Sequence, residues 1–106
     1  MIEIQASSGN IYADLSLQQA EQMLIKAQLA DKIREIIQKR KLTQQQAASL
    51  LGIPQSKLSN MLRGQFRGIS ETKMLDCLTR LGRDVQIVVG RARRSATHGH
   101  IAVVFA

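Results

Sequence analysis

A tight turn between two short helical patterns is the feature that most constrains this chain of 106 residues. The segment 43–64 reads TQQQAASLLGIPQSKLSNMLRG. Its first four residues form a capping box, in which the threonine hydroxyl takes a free backbone N–H and the last glutamine reaches back. Gly52 ends this helix, since glycine reaches the left-handed conformation at little cost. Pro54 then suits the first turn of another helix, because its missing N–H would have no partner there.

The small and apolar residues of this segment meet the demands of a close crossing between the two helices. Ala48 is small where the helices approach, and Ile53 fills the corner of the turn. The interface is sealed by three leucines, Leu51, Leu58 and Leu62. A generic helical hairpin does not need a small residue, then a glycine four positions later, then an apolar residue. The spacing therefore predicts a helix-turn-helix whose second helix spans roughly residues 54–63.

The net charge of +7 is concentrated in a stretch that lacks acidic residues. From Ile36 to Ser70 there is no Asp or Glu, and the cations are Lys39, Arg40, Lys41, Lys57, Arg63 and Arg67. Solvated helical faces usually carry charges of both signs. A stretch with positive charges alone therefore indicates attraction to a polyanion, rather than a charge that only keeps the protein in solution. Aromatic residues make up only 3% of the chain. Because exposed rings are what stack single-stranded bases, a single-stranded partner is disfavoured.

The rest of the chain extends this core into one mainly α-helical domain. Residues 1–14 are predicted to be an arm with a weak strand pattern near its start. A capping box at Ser16 predicts the first clear helix, which continues to about residue 38. That span fits one long helix or two helices with a bend near residues 28–31. Ser70 caps a further helix, which Gly82 closes.

After Gly82 the hydrophobic period changes from that of a helix to that of a strand. Alternating apolar residues predict short strands over residues 85–89 and 101–105. Since an isolated two-stranded hairpin is marginal in water, these strands are expected to pair with a second copy of the chain. The predicted single domain has three parts: the arm and long first helix (1–38), the helix-turn-helix core (39–82), and C-terminal β strands that make the dimer contact (83–106).

Four segments of the chain together carry a resemblance to known proteins. They are NIYADL at 10–15, KAQLADKIREII at 26–37, LTQQQAASLLGI at 42–53 and LGRDVQIVV at 81–89. The helix-turn-helix resembles the lambda-repressor-like helical DNA-binding domain of the phage-repressor and Cro superfamily, a fold of four to five helices. Over about residues 10–105 the chain is similar to one branch of it, the short antitoxins of the host-inhibition-of-growth type.

The resemblance places the base-reading residues on the second helix of the motif, the recognition helix. They are Gln55, Ser56, Lys57 and Asn60, with Ser59 at the margin. The chemistry agrees, since Gln and Asn can bond adenine bidentately, Lys can reach guanine acceptors, and Ser can serve either. The family usually has Ser or Thr where this chain has Pro54, so a side-chain cap is expected to be missing. Such a loss costs about 1 kcal/mol, partly offset by the pre-set backbone of proline.

Residues around the recognition helix are implied to hold phosphates. Gln44 is similar to the family's glutamine that bonds a phosphate and braces the recognition helix. The flanking phosphate contacts would come from Thr43, Arg63 and Arg67, which position the module without reading sequence. The basic run Lys39-Arg40-Lys41 either contacts phosphate as well, through Arg40 and Lys41 in particular, or forms a solvated helix end that the helix macrodipole favours.

The leading prediction is a dimeric repressor on a palindromic operator, with two recognition helices in successive major grooves about 34 Å apart. The antitoxin resemblance implies, in addition, repression of its own operon and a small RNase-type toxin held by residues 1–38. Two alternatives stay open. One is a stand-alone prophage-type regulator without a toxin, and the other is a protein-interaction module without DNA binding.

Enzymatic, metal and membrane functions find no support in the sequence. No catalytic set of nucleophile and base, no cofactor motif and no metal site is predicted, since His98 and His100 lack a nearby Cys or carboxylate. Cys77 is expected to pack in the core. Three late arginines, Arg91, Arg93 and Arg94, could contact DNA or a toxin or be solvated. With neither a signal sequence nor an apolar run of spanning length, a cytoplasmic protein is expected.

Overall fold

The computed structural model describes the backbone of residues 7–94 and 98–106, and the side chains of residues 19–94 and 98–106. Within these ranges the chain forms four α-helices: α1 (Ser7–Lys39), α2 (Gln44–Leu51), α3 (Gln55–Leu62) and α4 (Glu71–Arg80). The predicted mainly helical fold is confirmed, with α2 and α3 as the two helices of the helix-turn-helix.

Aliphatic side chains from all four helices meet in one core. The helix α1 packs on α4 and α3, and α2 packs on α3 and α4. The most deeply buried large side chains are Leu29, Ile33, Leu51, Leu58, Met61, Met74 and Cys77. Full burial of one large aliphatic side chain is worth about 1.5–3 kcal/mol. Because α2 and α3 have only 8 residues each, they depend on this packing, since helices so short are unstable alone.

The first helix is longer than the sequence predicts. It begins at Ser7 and continues for 33 residues to Lys39, so the predicted start at Ser16 is wrong. Of the two alternatives for this span, a single helix is observed. Glycine disfavours a helix interior by about 1 kcal/mol, and a helix already nucleated gains one hydrogen bond with each added residue. The weak strand pattern at the start of the arm lies outside the described residues.

The predicted C-terminal β extension is not observed. Residues 82–94 and 98–106 contain no strand, and the side chains of Ile87, Val88 and Val89 are 81%, 82% and 91% exposed. A strand needs a neighbour for its backbone N–H and C=O groups, and the described residues of one copy provide no neighbouring strand for this apolar segment. The alternating apolar residues predicted a half-buried strand. In the single chain this segment is instead exposed on both faces.

The last nine residues instead lie along α1. His100 Nδ1 is 3.1 Å from Glu21 Oε2, and Lys32 Nζ lies 5.3 Å from the centre of the Phe105 ring. Val103, between them, packs partly buried against the core. From Glu21 to Lys32 a helix rises about 16 Å, and an extended chain covers about the same length from His100 to Phe105. The tail therefore runs parallel to α1 as an extended strap.

No helix in the described part of the chain has the length and apolar content needed to cross a membrane.

Candidate nucleic-acid interface

The start of α2 is fixed by the capping box that the sequence predicts. Thr43 Oγ1 accepts a hydrogen bond from the Gln46 backbone N–H at 3.1 Å, and Gln46 Oε1 accepts one from the Thr43 N–H at 2.9 Å. Both side chains are exposed, as is that of Gln44. The Thr43 hydroxyl oxygen thereby accepts a hydrogen bond from within the helix. Its O–H group stays free to donate outward, for example to a phosphate oxygen.

The turn between α2 and α3 is covered by a side chain of α4. Gly52 adopts φ +69°, and the Ile53 N–H donates to the Ala48 carbonyl at 3.2 Å. The guanidinium of Arg80 lies over this glycine, such that a Cβ built on Gly52 would be 3.1 Å from Arg80 Nη1. Asp76 accepts from Arg80 Nε at 3.0 Å, and this bond is the main reason that the pKa of Asp76 lies below its usual value.

Replacing Gly52 with alanine should destabilise the protein more than the same change at another positive-φ glycine. The left-handed backbone alone disfavours a side chain by about 1–2 kcal/mol, and the contact with Arg80 adds to that. Gly82, with φ +86° and nothing within 4 Å of an added Cβ, is the matched control. Urea unfolding of both variants measures the difference. Equal losses at the two positions would mean that Arg80 contributes nothing to the turn.

The recognition helix α3 starts without a side-chain cap, as predicted. Pro54 has φ −60° and ψ 145° and provides no side-chain hydrogen bond. Its carbonyl accepts from the N–H groups of Lys57 and Leu58, at 3.0 and 3.1 Å. The proline therefore starts the helix through its backbone alone, which leaves the first-turn N–H groups of Gln55 and Ser56 open at an exposed helix end.

The two faces of α3 are chemically distinct. Leu58 and Met61 are fully buried, whereas Leu62, predicted to be inward, is only half-buried. The burial of Met61 was not predicted from the sequence, although its spacing of three from Leu58 places both residues on the same side of the helix. Of the predicted base-reading residues, four are exposed, namely Gln55, Ser56, Lys57 and Asn60, and Ser59 is half-buried. The helix thus presents polar side chains outward from a fixed apolar base.

One contact on α3 was not foreseen from the sequence. Arg63 Nη2 donates to Asn60 Oδ1 at 2.6 Å, and both side chains are exposed. The residue predicted to read a base and the residue predicted to hold a phosphate are therefore joined. The spacing of three along a helix is the only signal in the sequence that could have indicated it.

The remaining predicted phosphate ligands lie at the end of α1 and in the loop after α3. Arg40 and Lys41 are exposed at the end of α1, and Lys41 has φ +55°. Arg67 is exposed in the loop after α3, which the buried side chains of Phe66 and Ile69 anchor. Within the described residues, neither these cations nor Lys57 and Arg63 form an ion pair.

Lys39 differs from its neighbours in the basic run. Its Nζ lies 3.0 Å from Glu35 Oε2, and Lys32 contacts the other oxygen of the same carboxylate at 3.3 Å. The hydrogen bond from Lys39, with the one from Lys32, holds the pKa of Glu35 below its usual value. The charge of Lys39 is therefore partly neutralised, whereas those of Arg40 and Lys41 are available to an anion.

The cysteine, the histidine of the tail and the late arginines form no metal or catalytic cluster within the described residues. Cys77 is 1% exposed in the core, and burial raises the pKa of its thiol. His100 pairs with Glu21, and no group of three metal-binding side chains occurs in the described ranges. Arg91, Arg93 and Arg94 are exposed in the segment after α4.

Comparison with known proteins agrees with this geometry. A solved structure assigned to the XRE family of transcriptional regulators superimposes with a TM-score of 0.75 at 34% sequence identity, over 83% of this chain and 99% of that chain. Among curated proteins, no relative matches. The family model described as a helix-turn-helix domain matches residues 11–90, well over half of the sequence. The chain therefore belongs to the helix-turn-helix family of DNA-binding proteins.

Proposed function

We propose that this protein is a transcriptional regulator that binds duplex DNA as a dimer, with α3 in the major groove. The observation that carries the proposal is the exposed polar face of α3, seated on buried Leu58 and Met61. It is accompanied by cations that form no ion pair within the described chain, namely Arg40, Lys41, Lys57, Arg63 and Arg67. The regulatory role is supported by the similar solved structure, which is assigned to a family of transcriptional regulators.

The geometry supports a division of labour between reading and positioning. Side chains near the start of a recognition helix reach base edges in the major groove, which favours Gln55, Ser56 and Lys57 as reading residues. Asn60 lies one turn after Ser56 on the same exposed face and is proposed to read with them. Thr43 and Gln44 lie at the N-terminus of α2, where backbone N–H groups and the positive end of the helix dipole favour a phosphate. A protein that binds DNA in this way is expected to act in the cytoplasm.

Selection of binding sites from a pool of random duplexes tests the proposal. A dimeric helix-turn-helix protein should enrich a palindrome whose half-sites are about 10 base pairs, or 34 Å, apart. Enrichment of a single half-site would retain the DNA-binding function and reject the dimer. A pool without any enriched sequence would favour the alternative of a protein-interaction module.

The dimer contact is proposed to lie in the C-terminal segment. Its apolar side chains Ile87, Val88 and Val89 are almost fully exposed in the single chain, as are Ile101 and Val104, at 72% and 89%. Alternating apolar residues of this kind form a strand once a second edge is present. A second copy provides such an edge, and two-fold pairing is the usual arrangement for soluble homodimers.

Cations at the end of α1 should make operator binding dependent on salt. Each phosphate neutralised adds about 0.9 to the slope of log affinity against log salt concentration. Replacing Arg40 and Lys41 together with alanine should therefore lower the slope by about 2 for each subunit bound. Lys39→Ala is the matched control, because Lys39 is already paired with Glu35. An unchanged slope in the double variant would identify Arg40 and Lys41 as a solvated helix end.

We further propose an antitoxin role, in which α1 holds a small RNase-type toxin. The supporting observation is that Met23 and Leu24, on the part of α1 before the core, are 50% and 58% exposed. Exposed apolar side chains grouped on one helix are typical of partner-binding surfaces. The resemblance to host-inhibition-of-growth antitoxins supports the same role.

Co-expression with the reading frame beside the gene separates the antitoxin from a stand-alone regulator. An antitoxin should suppress the toxicity of the neighbouring product and copurify with it. Met23→Lys with Leu24→Lys should abolish copurification while operator binding is kept, since neither residue belongs to the DNA-binding face. A neighbourhood without any toxic small protein would reject the antitoxin role and leave the stand-alone regulator.

A further inference from the structure

We propose that Arg63 reads a base, and that it does so with Asn60 as a single hydrogen-bonded unit selective for guanine. This inference rests on the proposed binding of α3 in the major groove. It replaces the sequence-based expectation that Arg63 holds a flanking phosphate. The direct observation is the bond from Arg63 Nη2 to Asn60 Oδ1, at 2.6 Å.

The position of Arg63 on α3 supports base reading. Ser56, Asn60 and Arg63 are separated by four and three residues, so they share one helical face. That face lies opposite Leu58 and Met61, which are buried. Arg63 is the C-cap residue with φ −94° and ψ 7°, and its N–H still donates to the Ser59 and Asn60 carbonyls. The helical direction of its side chain is therefore kept, and the guanidinium lies over the reading face.

The hydrogen bond changes what Asn60 can recognise. An asparagine reads adenine by accepting from the N6 amino group through Oδ1 while donating to N7. Here Oδ1 is turned toward the cationic guanidinium, so the amide offers mainly its two Nδ2 hydrogens to DNA. An arginine has five N–H donors, so Arg63 keeps donors free after binding Asn60. The pair thus presents mainly donors.

Guanine is the base whose major-groove edge suits such a pair. Its N7 and O6 are both acceptors, whereas adenine and cytosine each present a donor. A pair that presents mainly donors finds two acceptors at guanine. At adenine it faces the N6 amino group, which is itself a donor. The same bond also limits the rotamers of the long Arg63 side chain before DNA arrives, which reduces the ordering entropy of binding.

Arg67 provides the contrast for a test. It is exposed in the loop between Gly64 and Gly68 rather than on α3, and no side-chain hydrogen bond joins it to another described residue. Both arginines carry the same charge and both are exposed, so the loss of either one removes the same long-range attraction to DNA. Only the loss of Arg63 should change which base is preferred.

The experiment is site selection from random duplexes with the full chain, followed by affinity measurements at one salt concentration. The wild-type site should contain a guanine in each half-site whose replacement lowers affinity roughly five- to 150-fold, the range of one good bidentate base contact. Arg63→Ala should remove this preference, and Arg63→Lys should restore it only in part, because a lysine can reach the guanine acceptors but lacks the planar fork of donors. Arg67→Ala should weaken all duplexes by a similar factor and leave the preferred sequence unchanged.

A double-mutant cycle tests the coupling. Because the two residues act as a unit, Asn60→Ala combined with Arg63→Ala should lose less affinity than the two single losses multiplied together. Circular dichroism confirms that each surface variant is folded. A uniform loss for Arg63→Ala across all sequences, or independent effects in the cycle, would overturn the proposal while DNA binding stands. A wild-type protein that selects no duplex would instead overturn the proposed function itself.

Discussion

Replacing Gln55 and Asn60 together with alanine should strongly lower the preference for the operator and leave weaker binding that is more sensitive to salt. Each good base contact contributes about 1–3 kcal/mol of discrimination, so two lost contacts lower the ratio of operator to random-sequence affinity by at least about 30-fold. The cations around α3 are untouched, and they provide the sequence-independent attraction that remains.

Fluorescence anisotropy on the selected operator and on a scrambled duplex measures this ratio. Both side chains are exposed, so the fold and its core should be unaffected, as circular dichroism and thermal unfolding would verify. The matched control replaces two exposed glutamines of α1, Gln22 and Gln38, which lie outside α3. If the double variant on α3 keeps its operator preference, α3 is not the reading helix.

The helix-turn-helix could be predicted from the sequence because its signals are local. The capping box at Thr43, the left-handed Gly52 and the uncapped Pro54 each act within a few residues, and the structure shows all three. Their spacing determines where α2 and α3 begin and end. The buried side of each helix follows from the same spacing, apart from the exchange of Met61 for Leu62.

What could not be predicted depends on long-range or competing effects. The start of α1 at Ser7 reflects helix propagation through a segment whose glycine favours a break. The tail contact between His100 and Glu21 joins residues 79 positions apart, and no local pattern indicates it. The bond between Arg63 and Asn60 depends on rotamers, which residue spacing permits but does not determine.

In the C-terminal segment the local sequence pattern and the structure of the single chain disagree. Alternating residues predict strands there, yet the segment forms none and leaves Val89 91% exposed. Burying apolar surface is the dominant favourable contribution to association. The proposed pairing with a second copy would use this pattern, and its role has to be measured in the protein at the concentration at which it assembles.

Ending the chain after Gly82 should convert the proposed dimer into a monomer and lower affinity for the full palindrome by about 10²–10⁴-fold. In a dimer, the second recognition helix binds its half-site as an intramolecular event, and that advantage disappears when the subunits separate. Affinity for a single half-site should stay the same, because α2 and α3 are intact. Light scattering and gel-shift assays on whole and half operators measure the two effects.

A full-length variant separates pairing from simple loss of the tail, because Val103 packs against the core and its removal uncovers part of that core. Ile87→Lys with Val89→Lys places charges on two exposed, alternate positions, so it should disrupt pairing between chains without disturbing the monomer. Gln86→Lys, which adds a charge on the other face of the segment, is the control. If both the truncated chain and the double-lysine variant remain dimers, the interface lies on the helices, and the exposed face of α1 becomes the first surface to test.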